Sequence, residues 1–241
     1  MKKLLTAALV LAAFVSTSFA VNYDGILNFV TLAETQKQIA FDALAKDMGA
    51  ILGGGMHHQA KTLGVLGFDI GVRTPMQTVN KDDKLLTDQN LSQLGLAFVQ
   101  LEKGLPGKID LLARGFSGEG LTATGFGARY SLVSLVVVNV SLVANYNTMT
   151  HDYLKGTTTG VGVTASLNIP VIQPYIGITS ESTSVTPGAK AAILEGSSGK
   201  SSGLRLEGGI NFSPFPLLYI YGGYTMVADG TGYSAALGLK F

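Results

Sequence analysis

Chemistry in this chain has to start from three histidines and a scattering of charged side chains, because there is no cysteine. His57 and His58 are adjacent, so their rings point apart and lack the i,i+4 spacing with which two histidines on one helix face hold a metal. Without thiolate ligands to join them, no metal site and no cofactor is expected. His151-Asp152 has the residue types of a water-activating pair and would suit a surface hydrolase, but no further acidic partner adjoins it. A solvated loop is the simpler reading, and no catalytic residue is assigned. The run NKDDK at 80–84 offers weak cation ligands, yet it too reads as a solvated charge run. Gly160-Val-Gly162-Val-Thr-Ala165 matches a dinucleotide-binding spacing but lies inside an alternating segment, where no strand-to-helix turn exists to cradle a phosphate.

More informative are seven charges that recur on one face of extended segments: Asp69, Arg73, Asp110, Arg114, Arg129, Arg205 and Glu207. From about residue 61 onward the hydrophobic pattern has period two, and ten strand-like segments follow. In 63–73, Leu66, Phe68, Ile70 and Val72 oppose Gly67, Asp69, Gly71 and Arg73. In 107–115, Ile109, Leu111 and Ala113 oppose Asp110 and Arg114. In 121–130, Phe126, Ala128 and Tyr130 oppose Gly125, Gly127 and Arg129. The segments 135–146, 159–168 and 203–212 repeat the pattern, 92–100 is ambiguous between its faces, and 171–181 and 215–227 are less clean. The last strand, 231–241, sets Tyr233, Ala235, Leu237, Leu239 and Phe241 against Gly232, Ser234, Ala236, Gly238 and Lys240.

The beginning of the chain supplies the solvent for those apolar faces. MKKLLTAALVLAAFVSTSFA has a basic start, a short apolar stretch and small residues near Ala20, the three parts of a cleavable secretory signal. Removing Lys2 and Lys3 leaves 15 basic and 16 acidic residues, so no strong field recruits nucleic acid. Charged residues are 14% of the chain, against about 25% in ordinary soluble domains. Mean hydropathy is +0.34, yet no apolar run after residue 20 approaches the roughly 20 residues of a spanning helix. A hydrophobic chain without such helices satisfies its backbone in a bilayer by closing strands into a barrel.

Connection lengths agree, with short turns alternating with longer loops at 74–90, 149–156 and 182–202. The fold expected is mainly β: an antiparallel up-and-down transmembrane β-barrel of about ten strands, with 8–12 allowed. A soluble β-sandwich is the alternative. In a barrel the seven charges project into the lumen, where they pair to fill the interior or guide a solute. Inward glycines leave space there. Tyr130, Tyr146, Tyr175, Tyr219, Tyr221, Tyr224 and Tyr233 suggest interfacial girdles.

One segment differs. Between residues 31 and 52, Phe41, Leu44, Met48, Ile51 and Leu52 recur at helical spacing, and the glycines at 53–55 end the pattern. The chain therefore divides into a signal peptide (1–20), a helical leader with a Gly-rich hinge (21–60) and a barrel (61–241). A helix about 10–12 Å across fits ten strands tightly, so the leader is expected as a lid or partial plug at the periplasmic mouth rather than a central rod.

The signal peptide, the even strand count and the terminal GYSAALGLKF resemble bacterial outer-membrane β-barrel proteins. That resemblance implies residence in the outer membrane of a diderm bacterium, contact with its lipid, handling by periplasmic chaperones, and reading of Tyr233, Leu239 and Phe241 by the barrel-assembly machinery. AETQKQIAFDALAKDMGAILGGGMHHQAKTLGVLGFDIGVR also resembles a family of uncharacterised outer-membrane proteins in which a helical leader precedes a "GFD" strand; it supplies no activity. The function expected is non-enzymatic, in envelope structure or passive passage of small solutes. The alternatives are a surface-interaction barrel binding a ligand through loops 75–91 and 182–202, and a membrane-embedded hydrolase using His151 and Asp152.

Overall fold

A computed structural model of the chain describes residues 21–227 and 230–241. The signal peptide expected at 1–20 lies outside the described residues. Ten strands close into one antiparallel barrel, each hydrogen-bonded to its neighbours in sequence: β1 (Phe68–Thr78), β3 (Phe98–Leu105), β4 (Ile109–Gly118), β5 (Leu121–Ser134), β6 (Val138–Thr150), β7 (Leu154–Leu167), β8 (Ile172–Pro187), β9 (Gly199–Phe215), β10 (Leu218–Val227) and β11 (Gly230–Lys240). An extra short strand, β2 (Gln93–Gly95), pairs with the far half of β1 and continues into β3 after a break at 96–97. Closure runs from Asp69↔Lys240 to Gln77↔Gly232. Beyond it, Phe241 N–H donates to Phe68 O (2.8 Å) and Phe68 N–H to Phe241 O (3.2 Å).

The first strand starts at Phe68, not at residue 63. Gly64 takes φ +77° and the Gly67 amide bonds back to its carbonyl, so residues 63–67 turn before pairing begins. The connections at 106–108, 135–137, 168–171 and 216–217 lie at one end, with the carboxy terminus. The long connections at 79–92 and 188–198 lie at the other, together with tight turns at 119–120 and 151–153; the long loop expected around His151 is corrected to a three-residue turn, because β6 and β7 stay paired to Thr150↔Lys155. The two ends are called the short-turn and long-loop ends below.

Alternation sorts side chains as period two dictates. Val99, Leu111, Phe126, Tyr146, Val161, Ile176, Ile210 and Leu239 are exposed on the outside. Inward positions carry glycine, hydroxyl, amide and charged residues, and the charged ones are nearly all buried. Tyr130, Tyr146, Tyr224 and Tyr233 face outward, but Tyr175, Tyr219 and Tyr221 are buried inside. The girdle expectation is corrected for these three: each sits on the lumen parity of its strand, where its hydroxyl meets a partner.

The leader departs most from expectation. Residues Tyr23–Thr31 form a 3-10 turn at the long-loop end, where Asn22 N–H donates to Gln89 Oε1 (2.7 Å). Helix α1 (Glu34–Gly53) then descends into the lumen against β7, β8, β9 and β1. It is neither a lid nor at the short-turn mouth. Phe41, Leu44, Met48, Ile51 and Leu52 are all buried, and from Ala43 onward nearly every face of the helix is covered. Small residues where helix and wall approach make the fit possible. A Cβ at Gly199 of β9 would collide with the Phe41 carbonyl, one at Gly49 with Thr183, and one at Gly53 with the Glu181 carboxylate. The upper half of α1 packs in an apolar core with Tyr23, Ile26, Phe29, Leu85, Leu86, Phe98, Leu121, Met149, Leu154, Val185 and Leu194. Each such large side chain contributes about 1.5–3 kcal/mol on burial. Gly55, at φ +65°, turns the chain out of the helix, and residues 56–62 descend without regular structure to the short-turn end.

Candidate functional site

Within the lumen the charges that alternation points inward meet one another and the leader. Asp69, Arg73, Asp110, Arg114, Arg129, Arg205 and Glu207 are all buried. Near the short-turn end they form a chain of ion pairs. Arg73 Nη2 lies 3.3 Å from Asp69 Oδ1 and 3.1 Å from Glu102 Oε1. Arg129 Nη2 lies 2.8 Å from Glu102 Oε2 and 2.7 Å from Asp110 Oδ2. Midway up, Arg205 grips Glu181 through Nε–Oε1 (2.9 Å) and Nη2–Oε2 (2.8 Å). Glu207 accepts from the Tyr175 hydroxyl at 2.9 Å, and Tyr219 donates to Asp69 at 2.8 Å. Glu102 and Glu181 were not legible from the sequence: the strand expected at 92–100 stops short of Glu102, which β3 reaches by continuing to Leu105, and Glu181 closes the less clean segment 171–181.

The arginines do more than balance charge. A helix leaves its last four carbonyls without partners and carries partial negative charge at that end. Arg205 Nη2 donates to Gly49 O (3.2 Å) and Ala50 O (3.1 Å), and Arg114 donates to Leu52 O and to Gly54 O (2.8 Å). Below the helix the same pattern continues. Tyr221 donates to Gly55 O (3.2 Å), Gln100 to Met56 O (2.9 Å), Asn211 to His58 O (2.6 Å), Arg129 to Gln59 O (3.1 Å) and Ser141 to Ala60 O. Ala60 N–H donates to Ser166 Oγ (3.0 Å) and Leu63 N–H to Asp110 Oδ1 (3.0 Å). The wall therefore does for an irregular backbone what a strand partner would do.

The histidines lie in two places. His58 stacks between Tyr219 and Tyr221, with ring centroids 5.1 and 5.2 Å away. His58, Asp69 and Glu102 bring three metal-type ligand atoms within 4.8 Å of one another. Arg73 already holds both carboxylates and Arg129 the second oxygen of Glu102, so a dication would have to displace a buried guanidinium; the set does not fit a metal. At the long-loop end, His151 packs on Tyr23 (4.4 Å between centroids), while Asp152 pairs with Lys190 (2.7 Å). The Lys190 hydrogen bond holds the Asp152 carboxyl below its usual range, and partial burial lowers the His151 imidazole. The two side chains are thus engaged with different partners.

The NKDDK run is not wholly solvated. Asp83 is fully buried, and its side chain accepts from Leu86 N–H (3.2 Å). Asp47 of α1, also buried, accepts from Asn80 N–H (2.8 Å), and the two carboxyl groups meet. Burial first, then the Asp47 carboxylate beside it, pushes the Asp83 carboxyl well above its ordinary value. This correction follows from α1 standing in the lumen, where its one inward acid reaches the loop.

Apolar outside and charged within, closed without a free edge, the fold is a transmembrane β-barrel of the bacterial outer-membrane type. No family model and no curated protein sequence matches the chain. Solved structures similar to it are outer-membrane barrels. One is the attachment invasion locus protein Ail of Yersinia pestis, 11% identical, TM-score 0.30, covering 73% of this chain and 98% of that one. Another is the N-terminal barrel domain of Pseudomonas aeruginosa OprF, 11% identical, TM-score 0.35, covering 74% and 99%. A third is the KdgM porin, 9% identical, TM-score 0.36, covering 72% and 99%. None of these likenesses carries a ligand or an activity to this chain.

Proposed function

We propose that the protein is a non-enzymatic outer-membrane barrel held closed by its own leader, serving envelope structure in its resting state. Small solutes pass only when the leader is withdrawn. The observation that carries this reading is the sequence of wall donors that grips the leader backbone from Gly49 to Ala60. With the short turns and the carboxy terminus on the periplasmic side, the long-loop end faces outward and residues 21–31 lie at the cell exterior. Phe241 and Leu239, exposed on the last strand, are placed to meet lipid and the barrel-assembly machinery. Conductance in planar bilayers tests the reading. The intact chain is expected to be silent, and a chain lacking residues 21–62 to give discrete steps. Steady conductance from the intact chain would overturn it.

A further inference from the structure

The lumen contacts are unevenly distributed between the leader's main chain and its side chains. Carbonyls of residues 49, 50, 52, 54, 55, 56, 58, 59 and 60 each accept from a wall side chain. Against this, both ring nitrogens of His57, Nε2 of His58 and Nε2 of Gln59 are buried with no hydrogen-bonding partner among the described residues. A buried polar atom without a partner costs about 1–3 kcal/mol. Other side-chain atoms of the same residues do meet the wall: His58 Nδ1 lies 3.4 Å from Arg73 Nη1, its ring stacks on Tyr219 and Tyr221, and Gln59 Oε1 accepts from Lys240 Nζ (3.2 Å). The main chain is matched more completely than the side chains.

Two further observations point the same way. Five of the nine gripped residues are small, Gly49, Ala50, Gly54, Gly55 and Ala60, and the other four, Leu52, Met56, His58 and Gln59, are gripped through the same main-chain atom. Several wall groups on the lumen side, Ser131 Oγ, Asn139 Nδ2 and Asn211 Oδ1, are buried and find no partner among the described residues either. They are polar capacity that this occupant does not use. The chain that fills the lumen already runs its full length, from Asp42, whose carboxylate accepts from Lys200 N–H (2.8 Å) at the long-loop end, to Leu63 at the short-turn end.

Building on the closed-barrel reading, we propose that the lumen is a binding site for polypeptide main chain. Residues 49–62 occupy it in cis, and a segment of another polypeptide that ends a helix and continues as irregular chain, as Gly49–Ala60 does, takes the same donors when the leader is withdrawn. Arg114, Arg129, Arg205, Gln100, Asn211 and Tyr221 are the recognition groups, and carbonyl spacing rather than side-chain identity is what they read.

The test uses the full chain with a protease site inserted at 64–66, an exposed stretch between the leader and β1. Cutting after folding turns the leader into a separate peptide held by the lumen and by the packing of residues 21–31 at the long-loop end. Two fluorescent peptides spanning residues 34–62 are offered to the cut protein: one native, and one with His57, His58 and Gln59 replaced by alanine. The expected result is that the cut leader stays bound through gel filtration and exchanges with both peptides, their affinities agreeing within about tenfold. Arg114→Met, which removes charge-assisted bonds to two carbonyls, should weaken both peptides by tenfold or more. Exchange with the native peptide alone would overturn main-chain reading. No exchange with either peptide, in a protein that is silent in bilayers, would also overturn it, leaving a permanent plug. Immediate loss of the cut leader would instead defeat the closed-barrel reading on which the proposal rests, and the proposal with it.

Discussion

Arg129 is where the ion-pair chain, the leader and the barrel wall meet, so Arg129→Met perturbs all three at once. The guanidinium donates to Asp110 (2.7 and 3.1 Å), Glu102 (2.8 Å) and the Gln59 carbonyl (3.1 Å). After substitution Glu102 keeps Arg73 (3.1 Å) and the Gln100 amide (2.8 Å). Asp110 keeps only the Leu63 amide and loses its cation. The change therefore leaves one buried carboxylate uncompensated, which costs about 3–5 kcal/mol. That corresponds to a factor of roughly one hundred to several thousand in the unfolding equilibrium, at about 1.4 kcal/mol per tenfold. Urea titration of the protein folded into phospholipid vesicles, followed by tyrosine fluorescence because the chain has no tryptophan, reads the difference. Asp110→Asn in the same background removes the stranded charge and should recover more than half of the loss. A single-variant effect below about 1 kcal/mol, or no recovery in the double variant, would refute the claim that these charges are dry and interdependent.

Other outcomes follow from the same contacts. Gly199→Val places a side chain against the Phe41 carbonyl, so α1 should fail to seat, and limited proteolysis should release residues 21–53 far faster than from the parent. The Asp47–Asp83 contact needs a proton, and the Asp83 acidity is shifted upward, so its stabilising contribution is present at acid pH and lost as pH rises through the raised value. Asp83→Asn supplies a permanent donor beside Asp47; the pH dependence of loop 79–91 protection in hydrogen exchange should flatten, and an unchanged profile would count against a shared proton. Phe241→Ser keeps the backbone bonds to Phe68 while removing the exposed ring, so it should reduce outer-membrane yield in cells yet leave refolding into vesicles intact.

The barrel was legible because a bilayer imposes strict alternation: a strand with lipid on one side and a polar lumen on the other writes its faces into the chain, as 107–115 and 121–130 do. Glu102 escaped because the Gly-Pro-rich stretch after it reads as a turn while β3 in fact runs on to Leu105, and Glu181 because Pro174 near the start of β8 blurs the alternation of 171–181. The three buried tyrosines look like interfacial ones until their parity is fixed by neighbours. The leader's position was hidden for a different reason. Helical spacing of Phe41, Leu44 and Met48 shows that an apolar side exists, not what covers it, and the space for a whole helix comes from glycines contributed by distant strands. The backbone-gripping role of Arg114, Arg129 and Arg205 left no local signal, since each residue's carbonyl partner lies 60 or more positions away.

Whether α1 stands inside the barrel can be asked with one cross-linking pair, since the chain has no native cysteine. In Gly49→Cys/Thr183→Cys, the position of a Cβ at residue 49 is 3.0 Å from the Thr183 Cβ, so helix and wall need to part by only about 0.5–1 Å to reach the separation a disulfide spans. Oxidation of membrane-embedded protein should give near-complete cross-linking of this pair and none between Leu44→Cys and Lys108→Cys at the short-turn rim. The reverse pattern would contradict the plugged barrel and restore a lid at the periplasmic mouth.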